Sequence, residues 1–225
     1  MPDQPPAADL PAAGPARPGD ASGPVLQLLA SALQLWLRQQ CQSIDSLDIQ
    51  LHGSAFELLR GRLQGATVLA RRAVFQSLQI ERVQLSSGPI RLQMGNLLKG
   101  QALQLEEHFA ISGQLSLSGD GLSRSLGQPA WRQLGDNLAE TLLGLVPLRG
   151  VRIERDSLVL SAEGFGRPDP VELETRLEAV DGTVQISSLD GRLSTRLSMD
   201  PAIRIERAYV EAGMVQLQGR ATVFP

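Results

Sequence analysis

The sequence predicts an α+β fold built on antiparallel sheet, and three observations carry that prediction. Apolar and polar residues alternate over long stretches, which is the period of a half-buried strand. Asp181-Gly182 and Asp190-Gly191 stand between such stretches as tight-turn dipeptides. A longer pattern also returns along the chain. Ile80-Glu81-Arg82, Leu85, Gly88, Ile90 and Leu92 are echoed by Ile205-Glu206-Arg207, Val210, Gly213, Val215 and Leu217, with a shorter relative, Ile153-Glu154-Arg155, Leu158 and Leu160, between them. Strands that follow one another through two-residue turns pair antiparallel, because parallel neighbours need a long crossover.

Each copy of the repeat slips phase. Its apolar positions run 78, 80, then 83, 85; 203, 205, then 208, 210; and 151, 153, then 158, 160. Side chains on a strand change face at every residue, so an odd step must be absorbed by a bulge or a turn. The two long copies read as bulged, bent strands whose hairpins are punctuated by Gly88 and Gly213. The middle copy reads as a tight turn at Asp156-Ser157. Repeated bent hairpins predict one long, strongly curved sheet.

Taken in order, residues 1–23 are rich in Pro, Ala and Gly, too poor in bulky apolar side chains to repay ordering, and read as a disordered tail. One folded domain is expected over 24–225. Ser22 and Pro24 signal a helix start, and the helical pattern runs to about Gln42. Gln27, Ser31, Gln34 and Arg38 make one narrow polar stripe, while Leu28, Leu29, Leu33, Leu35 and Trp36 belong to a wide apolar face. Such a helix is packed on the sheet or dipped into a bilayer interface. Its apolar runs fall far short of the roughly 18 residues a membrane span requires.

Leu47, Ile49 and Leu51 form a strand closed by His52-Gly53, and Arg60 to Phe75 reads as another. Phe109 to Ser118 alternates cleanly. A short helix follows around Leu122 and Leu126, Pro129 breaks it, and Trp131, Leu134, Leu138, Leu142 and Leu145 mark a second amphipathic helix ended by Pro147. Val171 to Ala179, Val184 to Ile186, Leu193 to Met199 and the closing Ile203 to Val223 are strand.

Composition narrows the function. The net charge of −3 hides a segregation, since residues 60–100 hold seven basic groups and one acidic, or +6, whereas residues 101–225 hold twelve basic and seventeen acidic, or −5. Long-range fields follow such asymmetry. Overall acidity and 4% aromatic content speak against nucleic acid as a partner. Cys41 is the lone cysteine, so neither an internal disulfide nor a thiolate metal cage forms. No phosphate loop, dinucleotide fingerprint or metal-spaced His pair occurs, and His52, His108, Asp45 and Asp48 lack partners at recognisable spacing. The reading is non-catalytic, with no cofactor and no metal. No basic segment precedes the apolar run that begins at Val25, so the chain is expected in the cytoplasm, peripheral on an inner membrane face.

Leu58-Leu59-Arg60-Gly61-Arg62, the Leu78 to Leu92 segment, Pro147-Leu148-Arg149-Gly150 and the closing Ile203 to Gly219 segment together resemble the LmeA-like family of bacterial phospholipid-binding proteins, and within it the cyanobacterial branch. The resemblance covers roughly residues 25 to 225. It implies a phospholipid or membrane-surface partner and an elongated fold of the tubular lipid-binding (TULIP-like) kind, with a curved antiparallel sheet wrapped around helices.

From the residues themselves, a dry sheet face and a mostly apolar helix can enclose an apolar groove able to take an acyl chain, and the same alternation serves a filled core equally well. Leu28, Leu29, Leu33, Leu35, Trp36, Ile80, Leu115 and Leu117 are the candidate lining. Arg60, Arg62, Arg71 and Arg72 are the candidates for an anionic head group, or else a solvated edge strand. The alternative function is a structural or adaptor protein with a filled core, whose Arg-rich strand binds a protein partner. Transfer, sensing and oligomeric state stay open.

Overall fold

The computed structural model describes residues 23–93, 104–164, 166 and 169–225. The expected tail therefore lies outside the described residues apart from Gly23, as does Ser22. Gly23 is the N-cap of the first helix, its carbonyl accepting from the Leu26 and Gln27 N–H groups. The described elements are α1 (Pro24–Gln40), β1 (Ser43–His52), α2 (Ala55–Leu59), β2 (Arg62–Leu63), β3 (Gly65–Phe75), β4 (Leu78–Ser87), β5 (Ile90–Arg91) and β6 (Phe109–Ser118). They continue with α3 (Gly119–Leu126), α4 (Arg132–Leu143), β7 (Leu148–Glu154), β8 (Ser157–Ala162), β9 (Val171–Val180), β10 (Thr183–Ser188), β11 (Ser194–Arg196), β12 (Ile203–Glu211) and β13 (Met214–Val223).

The fold is α+β, and the described ladders between strands are antiparallel. In place of one long sheet there are two open ones, ordered β1-β3-β4-β6-β13-β12 and β11-β10-β9-β8-β7, with β2 and β5 forming a small third.

Helix α1 has three faces, each with its own use. Leu26, Leu29, Ala30, Leu33 and Leu37 pack inward on Leu47, Ile49, Leu51 and Leu58. The polar stripe turns to β1, the edge strand of the larger sheet. There Gln34 Nε2 donates to the Leu47 carbonyl at 3.1 Å, and Arg38 donates to that of Ile44 at 3.4 Å. An unpaired strand edge is open to intermolecular pairing, and this stripe occupies part of it. The third face, with Val25, Leu28, Leu35 and Trp36, is exposed.

The expected strand from Arg60 to Phe75 begins later. Ser54 and Glu57 form a capping box that starts α2, Arg60 caps its end, and Gly61 turns the chain at φ +75° before β2. The segment Leu78 to Leu92 is not a hairpin, which corrects the sequence reading. Gly88 does not adopt a positive φ; its N–H bonds to the Ala110 carbonyl at 3.1 Å, and β5 pairs with β2. The tight turn lies earlier, at Gln76-Ser77, with φ of +47° and +66°. The Gln42 side chain holds the Ser77 N–H, and the Trp131 indole donates to the Gln76 carbonyl, so neighbouring side chains fix a turn that lacks glycine.

The phase slip is present in both long copies but takes different forms. In β12 the ladder to β13 shifts between Ile205 and Arg207, a bulge at the expected place. In β4 the register against β3 and β6 continues unbroken. Here the slip crosses three strands at one level. Ile44, Ala73 and Ile80 stand side by side, as do Leu47, Ala70 and Val83, and all six face one cavity although each strand steps by three residues between the rows. Arg72 makes the step in β3 at φ +44°, and its guanidinium pairs with Asp45 on β1. The middle copy turns on Arg155-Asp156, Arg155 at φ +53°, one residue before the expected position.

The second half is closely packed. Leu138 and Leu142 of α4 join Val151, Leu158, Leu160, Val184, Ile186, Leu117 and Val215 in one core. Helix α3 approaches β7 so closely that a Cβ at Gly119 would lie 3.0 Å from the Ile153 nitrogen. Gly144 closes α4 at φ +67°. The β9–β10 turn reaches back to the larger sheet, where the Ile205 N–H donates to the Gly182 carbonyl at 2.8 Å.

Candidate functional site: an apolar cavity beneath the first helix

Between α1 and the inner face of β1, β3, β4 and β6 lies a cavity of about 450 Å³. The sequence opens it by what it omits. The β3 floor carries Ala66, Ala70 and Ala73 on the inward phase, so the strand passes beneath α1 without filling the space. Leu47, Ile49, Leu51, Val68, Val83, Leu85 and Ile90 line the sides, Phe109 and Ile111 close one flank, and Leu33, Trp36, Leu37 and Cys41 form the roof and rim. Ser87 brings a hydroxyl, but that oxygen accepts the Ala66 N–H at 2.8 Å. The interior therefore offers a ligand dispersion and exclusion of water rather than hydrogen bonds. Its volume falls within the roughly 300–1,000 Å³ of small-molecule sites.

The second core leaves only about 100 Å³, lined by Leu117, Leu122, Leu126, Leu138 and their neighbours. The two halves of one sheet thus end differently, one packed and one hollow.

Comparison with known proteins decides which class of protein carries this cavity. The family model for LmeA-like phospholipid-binding matches residues 20–220. This chain belongs to the LmeA-like phospholipid-binding family. No curated protein and no solved structure matches it. Among the described residues no helix is long and apolar enough to cross a membrane, and no group of three or more His, Cys, Asp or Glu is placed to hold a metal ion.

In this LmeA-like chain the candidate lining residues divide. Leu33, Trp36 and Ile80 line the cavity, and Leu29 packs in the core beside it. Leu28 and Leu35 point outward, 74% and 61% exposed, because they fall on the third face of α1. Leu115 and Leu117 belong to the packed second core, where β6 pairs with β13 near the start of α3. Ala66, Ala70 and Ala73 escaped the sequence reading. Their signal was present: three alanines, poor strand formers, in one strand on what proves to be a single face.

The four candidate arginines do not form one cluster. Arg60 and Arg62 lie at the His52 end of the sheet, whereas Arg71 and Arg72 lie seven residues along β3, on the order of 23 Å away at strand rise. Arg60 stacks on the Phe56 ring, 4.1 Å from its centroid. Arg62 stands directly opposite Arg91, which pairs with Glu107 at 3.1 Å. Arg71 faces away from the cavity, opposite Arg82, and Arg72 is paired with Asp45. His52 bonds Thr67 across β1 and β3 at 2.8 Å, a structural tie.

Proposed function

We propose that this protein binds an acyl lipid non-catalytically, with the hydrocarbon chain in the cavity beneath α1, and acts peripherally at a membrane. One observation carries the reading: a family of phospholipid binders, here with about 450 Å³ of space whose side chains are almost wholly apolar. A buried methylene is worth about 0.8 kcal/mol, so a sixteen-carbon chain gains on the order of 12 kcal/mol before ordering costs. The sheet is then the wall of a lipid holder of the tubular lipid-binding kind, bent around α1 where the three strands step together.

Among the arginines, Arg60 and Arg62 suit a phosphate head group best. Arg62 stands directly opposite Arg91, and Glu107 already answers Arg91, so a bound phosphate neutralises Arg62, the charge left facing it. Arg72 is already engaged by Asp45, and Arg71 lies across the sheet from the cavity.

The test is native mass spectrometry of the gently purified chain, together with an Ala70→Phe variant that places a ring on the cavity floor. Bound lipid is expected on the unmodified chain and at least tenfold less on the variant, with both folded by circular dichroism. A lipid-free protein that extracts nothing from anionic vesicles overturns the reading.

A further inference from the structure

Twelve large apolar side chains are exposed among the described residues, and seven of them, Val25, Leu28, Leu35, Trp36, Phe56, Leu59 and Phe75, belong to α1 and the end of β3, which line the cavity, and to α2, which packs in the core beside it. On α1 they follow helical geometry. At about 100° per residue, positions 25, 28, 32, 35 and 36 fall within an arc of roughly 100° that adjoins the inward arc at Trp36 and lies apart from the polar stripe bonded to β1. The apolar surface of α1 is therefore about twice as wide as the core covers, and the uncovered half faces outward.

We propose that this outer face of α1, continued by Phe56 and Leu59 of α2, is the surface that seats the molecule in the head-group region of an anionic phospholipid bilayer. The inference rests on the lipid-binding reading of the cavity and gives that site its route of access. Charge and continuity identify the partner. No acidic side chain lies on α1, whose last turn carries Arg38, and Arg60 lies over the exposed Phe56 ring. Residues 23–93 carry seven Arg against Asp45, Asp48, Glu57 and Glu81, a net +3, whereas residues 104–225 carry twelve basic and seventeen acidic groups, a net −5. An anionic surface therefore attracts the cavity-bearing half and repels the other. Leu and Trp beside Arg are the side chains that rest at a bilayer interface, their stems and rings among acyl chains and their charges at the phosphates. Trp36 is 55% exposed and also lines the cavity, and Phe75 shares both properties at 41%. The apolar surface thus runs without interruption from the outer face into the cavity, so an acyl chain passes between bilayer and cavity without crossing water.

Flotation of the full chain with vesicles of phosphatidylcholine containing about one-third phosphatidylglycerol, against phosphatidylcholine alone, tests the surface; at physiological salt the charge preference acts over about 8 Å. The Trp131→Phe variant leaves Trp36 as the sole tryptophan, and its emission is expected to shift to the blue on the anionic vesicles. The double variant Leu28→Glu/Leu35→Glu is expected to lower partition at least tenfold with an unchanged melting temperature, while Leu189→Glu, another exposed apolar position (53%), leaves it unaltered. Equal partition of the double variant and the unmodified chain overturns the proposal. So does a dimer that the double variant dissolves, which makes a second copy the occupant of this face. Cavity binding is read separately, by titrating the unmodified chain with a monomeric fluorescent fatty acid and no vesicles. Failure there removes the lipid reading, whereas failure on vesicles alone removes only the docking surface.

Discussion

Gly219 shows how one residue records the bending of the sheet around it. It stands opposite Ile205 where β12 bulges, and a Cβ there would collide with the Arg204 carbonyl oxygen. That obstacle is backbone, held by its ladder, so Gly219→Ala is expected to cost about 1–3 kcal/mol in urea unfolding. A loss below about 0.5 kcal/mol would show that the bulge relaxes freely. On the second sheet the Arg152 guanidinium hydrogen-bonds Glu172 at 2.6 Å and Glu154 at 2.8 Å, and holds the Glu172 carboxyl below its ordinary value of 4.5. A carboxylate depressed on folding adds stability that is fully present above its ordinary value and is lost as pH falls through the folded one. Arg152→Met is therefore expected to flatten the acid side of the stability curve below the ordinary Glu172 value and to move the Glu172 midpoint upward by NMR. The effect is small because both side chains are about half exposed, at 49% and 40%.

Among the elements, α1 and α4 place the same side chain in opposite circumstances. Leu142 of α4 is 2% exposed within the packed core, so Leu142→Ala leaves a void and is expected to cost about 2–5 kcal/mol. Leu33 of α1 borders space that is already open, so Leu33→Ala removes contact with little new void and is expected to cost no more than about 1.5 kcal/mol. Urea denaturation of the two variants measures the contrast, and equal losses would mean that the first half is packed as tightly as the second. Helices α1, α3 and α4 were legible in the sequence, whereas the single turn of α2 was not. Their apolar spacing and the breaks at Pro129 and Pro147 bracket α3 and α4 closely. The sharing of Gln34 and Arg38 with the edge of β1 was not legible, because a polar stripe looks alike whether it meets water or a row of backbone carbonyls.

At the scale of the molecule, the larger sheet carries a hollow half under α1 and a filled half against the second sheet, and a ligand taken into the hollow half stabilises that half first. Hydrogen exchange with a saturating fatty acid is expected to slow at amides of β1 and β3 and to leave β8 to β10 unchanged. Uniform slowing would argue against a ligand confined to the cavity. The repeat that stands out in the sequence does not map onto a structural repeat: its last copy is a bulged hairpin, β12–β13, and its first spans β4 and the departure of β5 to another partner.

Local pattern alone determined the antiparallel α+β class, the helices after β6 and the Asp181-Gly182 turn, since strand period, turn dipeptides and proline breaks are properties of neighbours in the chain. Tertiary structure decided which apolar residues surround space and which fill it. Leu33 and Leu117 look equivalent in the sequence, and the difference arises because Ala66, Ala70 and Ala73 lie across from one of them while α3 and α4 close over the other. It also separated the arginines of one basic segment between two ends and two faces of a sheet, because strand rise and side-chain alternation carry sequence neighbours apart.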